Sequence, residues 1–167
     1  SGGRDISFTV PANTTTAPAV QVQTGTVAGV ISVTLKVLAA GTDVSPNPNV
    51  VTITIPRSAP TIRSATLTRS GSTLTVTVVG FSTTRELTQA AFHFTPAASQ
   101  TLANADVTVP VGPLFATWYS DPTSKQYGSL FTYTQTFNLQ SGDWAAVGSV
   151  SVTLTNSLGT STPATAN

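Results

Sequence analysis

Leu74-Thr75-Val76-Thr77-Val78 sets three aliphatic side chains at every second position with hydroxyls between them, and Gly80 ends the run. Successive side chains of a strand point to opposite faces, so this stretch reads as a half-buried β-strand with a Thr row in water. The same alternation recurs along the chain. Ile31, Val33, Leu35 and Val37 alternate with Ser32, Thr34 and Lys36, and Val51, Ile53 and Ile55 alternate with Thr52 and Thr54. Ala90, Phe92 and Phe94 are expected to face one way, with Gln89, Ala91, His93 and Thr95 facing the other. Val107, Val109 and Val111 follow, then Phe131, Tyr133, Gln135 and Phe137, and finally Val150, Val152 and Leu154. Seven or more strands are expected and almost no helix, because no window shows a convincing 3.6-residue apolar period.

Composition agrees. Of 167 residues only 8% are charged, 7 basic and 6 acidic, and there is neither cysteine nor methionine. Soluble domains usually carry about a quarter charged residues, so neutral polar groups must cover this surface. Threonine, β-branched and strand-favouring, is roughly a fifth of the chain. Seven scattered basic residues make no footprint for nucleic acid, and no apolar run reaches the roughly 18 residues a membrane-spanning helix needs. Few charges and no oxidisable sulfur suit an exposed setting outside the cell. Beginning Ser1-Gly2-Gly3 without methionine, the sequence is expected to be a processed mature chain or a piece of something longer.

Turn-rich stretches separate the strands, among them Ser45-Pro46-Asn47-Pro48-Asn49, Arg69-Ser70-Gly71-Ser72 and Gln140-Ser141-Gly142-Asp143. Strands at this spacing without helical crossovers predict immunoglobulin-like antiparallel β-sandwiches. A boundary is expected at Ile55-Pro56-Arg57-Ser58-Ala59-Pro60, because two prolines within five residues cannot serve a central ladder. Residues 57–167 then have the length of one complete sandwich, and 1–56 that of a partial domain or a strand-donating segment. Ile31-Ser32-Val33-Thr34-Leu35 also matches Val150-Ser151-Val152-Thr153-Leu154, which makes the first segment resemble the last strands of a preceding repeat.

Gly80-Phe81-Ser82-Thr83-Thr84-Arg85-Glu86, preceded by Leu67-Thr68-Arg69 and joined by the terminal Asn156-Ser157-Leu158-Gly159-Thr160-Ser161, carries a family resemblance. The chain resembles immunoglobulin-like repeats from the C-terminal regions of large secreted or cell-surface bacterial proteins, notably of acidobacteria. Thr24-Gly25-Thr26-Val27-Ala28-Gly29 looks like the tail of the preceding repeat. The resemblance implies extracellular, non-catalytic modules that bring no catalytic residue to carry over.

Chemistry-bearing residues are few. His93 is the single histidine, placed on an outer strand face with no carboxylate close in sequence, and is expected to be solvated. Asp5, Asp43, Glu86, Asp106, Asp121 and Asp143 are isolated and lack the alternating spacing of a calcium loop, so neither catalysis nor a metal or other cofactor is expected. Adjacent Arg85 and Glu86 are expected to make surface or inter-strand ion pairs. The segment Trp118–Tyr127 concentrates aromatics in an expected loop, where Trp118, Tyr119 and Tyr127 either meet a glycan or a protein partner or simply close one end of the sandwich. Trp144 poses the same choice, and Asn13-Thr14-Thr15 is a single glycosylation-type triplet.

An unfinished sandwich leaves apolar faces and unpaired edges to be covered. Missing strands are supplied either upstream in a longer chain or by another copy. Ile6, Phe8 and Val10, following Gly2-Gly3, have the alternation of a donated strand. The expected function is therefore a structural extracellular module of a surface array or a pilus-like filament subunit, with other copies or neighbouring immunoglobulin-like domains as partners. The alternative is a carbohydrate-binding or adhesive module using the loop aromatics.

Overall fold

A computed structural model describes residues 5–71, 73–138 and 144–167; Gly2, Gly3, Ser72 and the stretch 139–143, with Asp143, lie outside the described residues. The fold is all-β. Strand β1 (Gly29–Thr34) pairs antiparallel with β4 (Val50–Ile55), and β2 (Leu38–Ala39) with β3 (Thr42–Asp43) forms a small hairpin between them. The remaining strands make two sheets. One orders β5 (Thr61–Ser70), β6 (Thr73–Phe81) and β9 (Leu130–Asn138) as β5-β6-β9. The other contains β7 (Gln89–Pro96), β8 (Asp106–Pro110), β10 (Val147–Asn156), β11 (Gly159–Thr160) and β12 (Ala164–Ala166). Its order is β11-β10-β7-β8, with β12 on the same side of β10 as β11's edge of the sheet.

Lettered as an immunoglobulin-type sandwich, the sheets are A-B-E and G-F-C-C′. The position a strand D would take beside E has no strand among the described residues. The chain there runs instead through helix α1 (Gly112–Ser120) and a 3-10 turn (Pro122–Tyr127).

That helical stretch corrects the loop expected around Trp118. Val111, Leu114, Phe115, Trp118 and Tyr119 fall at i, i+3, i+4, i+7 and i+8, with Pro113 in the first turn where its missing N–H costs nothing. Nine residues are too few to stand out against strand patterns on both sides, and α1 persists because Phe115 and Tyr119 are buried.

The core forms between the sheets as the alternation requires. Leu74, Val76 and Val78 of β6 face Phe92 and Phe94 of β7 and Val150, Val152 and Leu154 of β10, all buried. Each such side chain contributes about 1.5–3 kcal/mol through removal from water. Phe137 of β9 sits edge-on to both Phe92 and Phe94, at 5.0 and 5.1 Å between ring centres. On the outer faces Thr75 and Thr77 lie 3.5 and 3.3 Å from the hydroxyls of Thr136 and Thr134, which is how the abundant threonine is used. Strand β5 escapes simple alternation because its pairing shifts between Ile62 and Ser64, a bulge that breaks the period of two.

The first strands keep to one hairpin. Ile31 lies opposite Ile53 and Val33 opposite Val51, so one face of the ribbon is apolar, while Ser32 opposite Thr52 marks the polar face. Val51 remains 66% exposed, and a two-stranded ribbon alone is marginal in water. The pairing of β1 with β4 parallels that of β10 with β12, in keeping with the Ile31–Leu35 and Val150–Leu154 match. The segment is tied to the sandwich by Ala28 N–H donating to the Thr83 carbonyl (2.8 Å) and Ser129 N–H donating to the Thr26 hydroxyl (3.1 Å).

Candidate functional site

Three places carry the candidate residues: the aromatic corner at α1, the row across β7 and β8 at His93, and the N-terminal arm.

At the corner the helix separates residues that are neighbours in sequence. Trp118 and Tyr119 project about 100° apart. Trp118 turns outward and stacks on Tyr127, with ring centres 6.0 Å apart and planes 21° from parallel. Tyr127 is 49% exposed, whereas Trp118 is half-buried, its indole N–H covered and unpartnered among the described residues. Tyr119 turns inward, against Phe115, and donates its hydroxyl to the Ser129 carbonyl at 2.9 Å. Burial pushes the Tyr119 phenol well above the usual tyrosine range, against the opposing pull of Arg85. Trp118 and Tyr127 therefore share one surface and Tyr119 belongs to the core. Asp121 caps the turn between them by accepting from the hydroxyl and N–H of Thr123, which hold its carboxyl below the usual range.

Arg85 joins this corner from the β6–β7 connection. Its left-handed backbone (φ 55°) turns the side chain across the sandwich end, where the guanidinium donates to the Tyr119 carbonyl and, at 3.1 Å, to the Ser124 hydroxyl. The expected ion pair is thus replaced by a bond to a helix-end carbonyl. Glu86 meets no cation among the described residues either and accepts from the Ser157 hydroxyl at 2.7 Å.

A hollow of about 260 Å³ opens between α1 and β9, lined chiefly by Leu114, Phe115, Trp118, Phe131, Tyr133 and Thr132. Leu114 stands 55% exposed at its rim. Sequence reading missed Leu114 and Phe115 as part of this site; their spacing with Trp118 and Tyr119 was the available signal.

At the second place, the structure pairs residues thirteen apart. His93 Nδ1 lies 2.7 Å from an Asp106 carboxylate oxygen, because the β7–β8 register sets the two directly opposite. No carboxylate is close to His93 in sequence, yet the fold brings Asp106 to it: nearness across a ladder does not depend on nearness along the chain. His93 is solvent-facing as expected, over a shallow hollow of about 350 Å³ that Ser151 and Thr108 also line. Among the described residues no cluster of three or more His, Asp or Glu is arranged to hold a metal ion. Trp144 is buried at the start of β10, near the end of the core rather than on a surface.

The third place is the arm. From Asp5 to Thr24 the described chain enters no strand ladder, and Ile6, Phe8 and Val10 are exposed, Ile6 at 61%. Asn13 is exposed in a turn with a left-handed backbone. No helix among the described residues is long and apolar enough to cross a membrane. No family model matches the chain, and neither a curated protein nor a solved structure matches it.

Proposed function

We propose that this protein is a non-catalytic structural module that works outside the cell, in a surface array or as a pilus-like filament subunit, and joins its neighbours by β-strand pairing. One observation carries the reading: an arm whose Ile6, Phe8 and Val10 alternate with Ser7 and Thr9 has no strand partner among the described residues of its own chain and leaves its apolar side chains in water. Exposed, alternating apolar side chains on an unpaired strand are what strand addition buries, with backbone bonds giving affinity and side chains giving register. The β1–β4 ribbon, whose apolar face keeps Ile31, Val33, Ile53 and Ile55 only half-buried and Val51 exposed, adds a second surface in need of a neighbour. The low charge fits the same use, since uncharged Thr-covered faces meet without desolvating ions. The resemblance of Gly80–Glu86 and the terminal turn to bacterial immunoglobulin-like repeats supports a place outside the cell. Sedimentation and negative-stain electron microscopy of the purified chain over a wide concentration range test the proposal. Concentration-dependent assemblies are expected, lost on deletion of residues 1–10; monodisperse monomers at every concentration overturn it.

A second reading, a carbohydrate-binding or adhesive module, is favoured by the Trp118–Tyr127 stack and its exposed Tyr127 ring. A glycan array on the wild-type chain, with Trp118→Ala as control, tests it. Binding lost in the variant supports it, and a blank wild-type array rejects it.

A further inference from the structure

We infer that the acceptor for the arm is the outer edge of β9, and that Ile6–Val10 of a second copy adds there as an edge strand, where no strand of this chain lies among the described residues. The inference rests on the strand-pairing reading above and adds the place, the partner segment and the register.

Strand β9 pairs with β6 over its whole length, and no backbone bond reaches Leu130–Asn138 from any other side among the described residues. Alternate N–H and C=O groups on its outer edge are therefore open to a further strand. Natural edges are protected by charge, proline or bulges. Residues 130–138 contain no charged residue and no proline, and their pairing with β6 runs without a register shift. Two other edges of the sandwich sheets differ. Strand β5 carries Arg63, Arg69 and a bulge, and the five-residue β8 carries Asp106 and Pro110. One device does guard part of β9: Gln135 Nε2 donates to the Thr136 carbonyl at 3.0 Å. What stays open runs from Leu130 to Gln135, the length of Asp5–Val10.

Side-chain chemistry sets the register. Phe131 and Tyr133 point inward and Thr132 and Thr134 outward. A strand laid antiparallel with Val10 opposite Phe131, Phe8 opposite Tyr133 and Ile6 opposite Gln135 puts its apolar face inward. Ser7 and Thr9 then extend the outer hydroxyl rows beside Thr134 and Thr132. Phe8 enters the 260 Å³ hollow and covers the exposed Leu114 and the half-buried Trp118. Neither donor residues 6–10 nor acceptor residues 130–135 carry a charge, so no ion is desolvated. The donor is taken from another copy, because among the described residues Asp5–Gln23 is exposed and makes no hydrogen bond to the rest of its own chain, although Thr26 is fastened beside Ser129.

The chain has no cysteine, which makes disulfide trapping clean. Thr9→Cys and Thr132→Cys chains, each exposed at the new thiol, are mixed and oxidised. A disulfide-linked heterodimer is expected as the main product, reduced at least tenfold when the donor also carries Phe8→Asp. A Thr132→Cys control against Asn13→Cys is expected to give little. Absence of the heterodimer overturns the inference, as does a Thr9→Cys, Thr132→Cys double variant that closes within one chain. If the wild-type chain assembles while the heterodimer is absent, strand pairing stands and this site falls; if the wild-type chain stays monomeric, both fall.

Discussion

The Arg85 guanidinium lies 5.1 Å from the centre of the Tyr119 ring and donates to the Tyr119 carbonyl at the end of α1. One cation thus holds a helix end, a buried aromatic face and the Ser124 hydroxyl together, at a corner where strand D would otherwise close the sandwich. Charge-assisted bonds and a cation over an aromatic ring are each worth about 1–2 kcal/mol. Arg85→Ala is expected to lower stability by roughly 2 kcal/mol, and Arg85→Lys to recover less than half of that, since an ammonium lacks the planar fork. Urea unfolding of the three proteins measures this. Equal midpoints for wild type and Arg85→Ala would show the contact contributes nothing.

Stability is expected to fall in alkali. Burial pushes the Tyr133 phenol up to about 12, and its hydroxyl donates to Gln135 Oε1 at 2.7 Å. A folded value above the unfolded one, about 10, favours the neutral form in the native state. The contribution is therefore whole below pH 10 and is lost as pH climbs toward 12, amounting to roughly 2 kcal/mol. Tyr119, raised by the same cause, acts in the same direction. Urea midpoints should be level from pH 8 to 9.5 and drop above pH 10, with a shallower drop in Tyr133→Phe. An identical slope in that variant would remove Tyr133 as the cause.

Gly80 has no room for a side chain. A Cβ there would stand 2.7 Å from the Thr61 carbonyl and 2.8 Å from the Phe131 ring, near the end of β6, the middle strand of the β5-β6-β9 sheet. Gly80→Ala should cost upwards of about 2 kcal/mol through forced repacking. Gly29→Ala, whose Cβ would meet nothing within 4 Å, should stay within about 0.5 kcal/mol of wild type. Thermal unfolding of the pair checks the contrast, and a Gly80→Ala melt unchanged from wild type would contradict the packing described for β6.

Asn156 fastens the linker that precedes the sandwich. Its buried amide donates to the Ser58 carbonyl at 2.9 Å and the Thr84 hydroxyl at 3.1 Å, and its oxygen accepts from Leu158 N–H at 2.9 Å. Asn156→Ala leaves those groups without their partner and should cost about 2 kcal/mol. It should also speed tryptic cleavage after the exposed Arg57 several-fold, because among the described residues Ser58 is then held only through Thr83. Cleavage after Arg57 at the wild-type rate would show that the linker is held elsewhere.

The strands were legible because their signal is local. Leu74, Val76 and Val78, Ala90, Phe92 and Phe94, and Val150, Val152 and Leu154 all turn inward where their alternation places them. The helix was less legible, since its apolar spacing covers only nine residues and adjoins Val107, Val109 and Val111, which continue a period of two. The site was legible only in its parts. Trp118, Tyr119 and Tyr127 are conspicuous as residues, but whether each faces water depends on which side of α1 it occupies and on what the sandwich end presents to it.

By itself, then, the sequence determined the fold class, the inward and outward faces and the threonine-covered surface, because a strand's period of two is a property of consecutive residues. Tertiary structure alone decided that Asp106 meets His93, that Arg85 serves Tyr119 rather than a carboxylate, and that β9 ends its sheet with an uncharged, open edge. Those relations depend on strand register and on which element comes to lie beside which, and both are settled by packing between segments far apart in the chain.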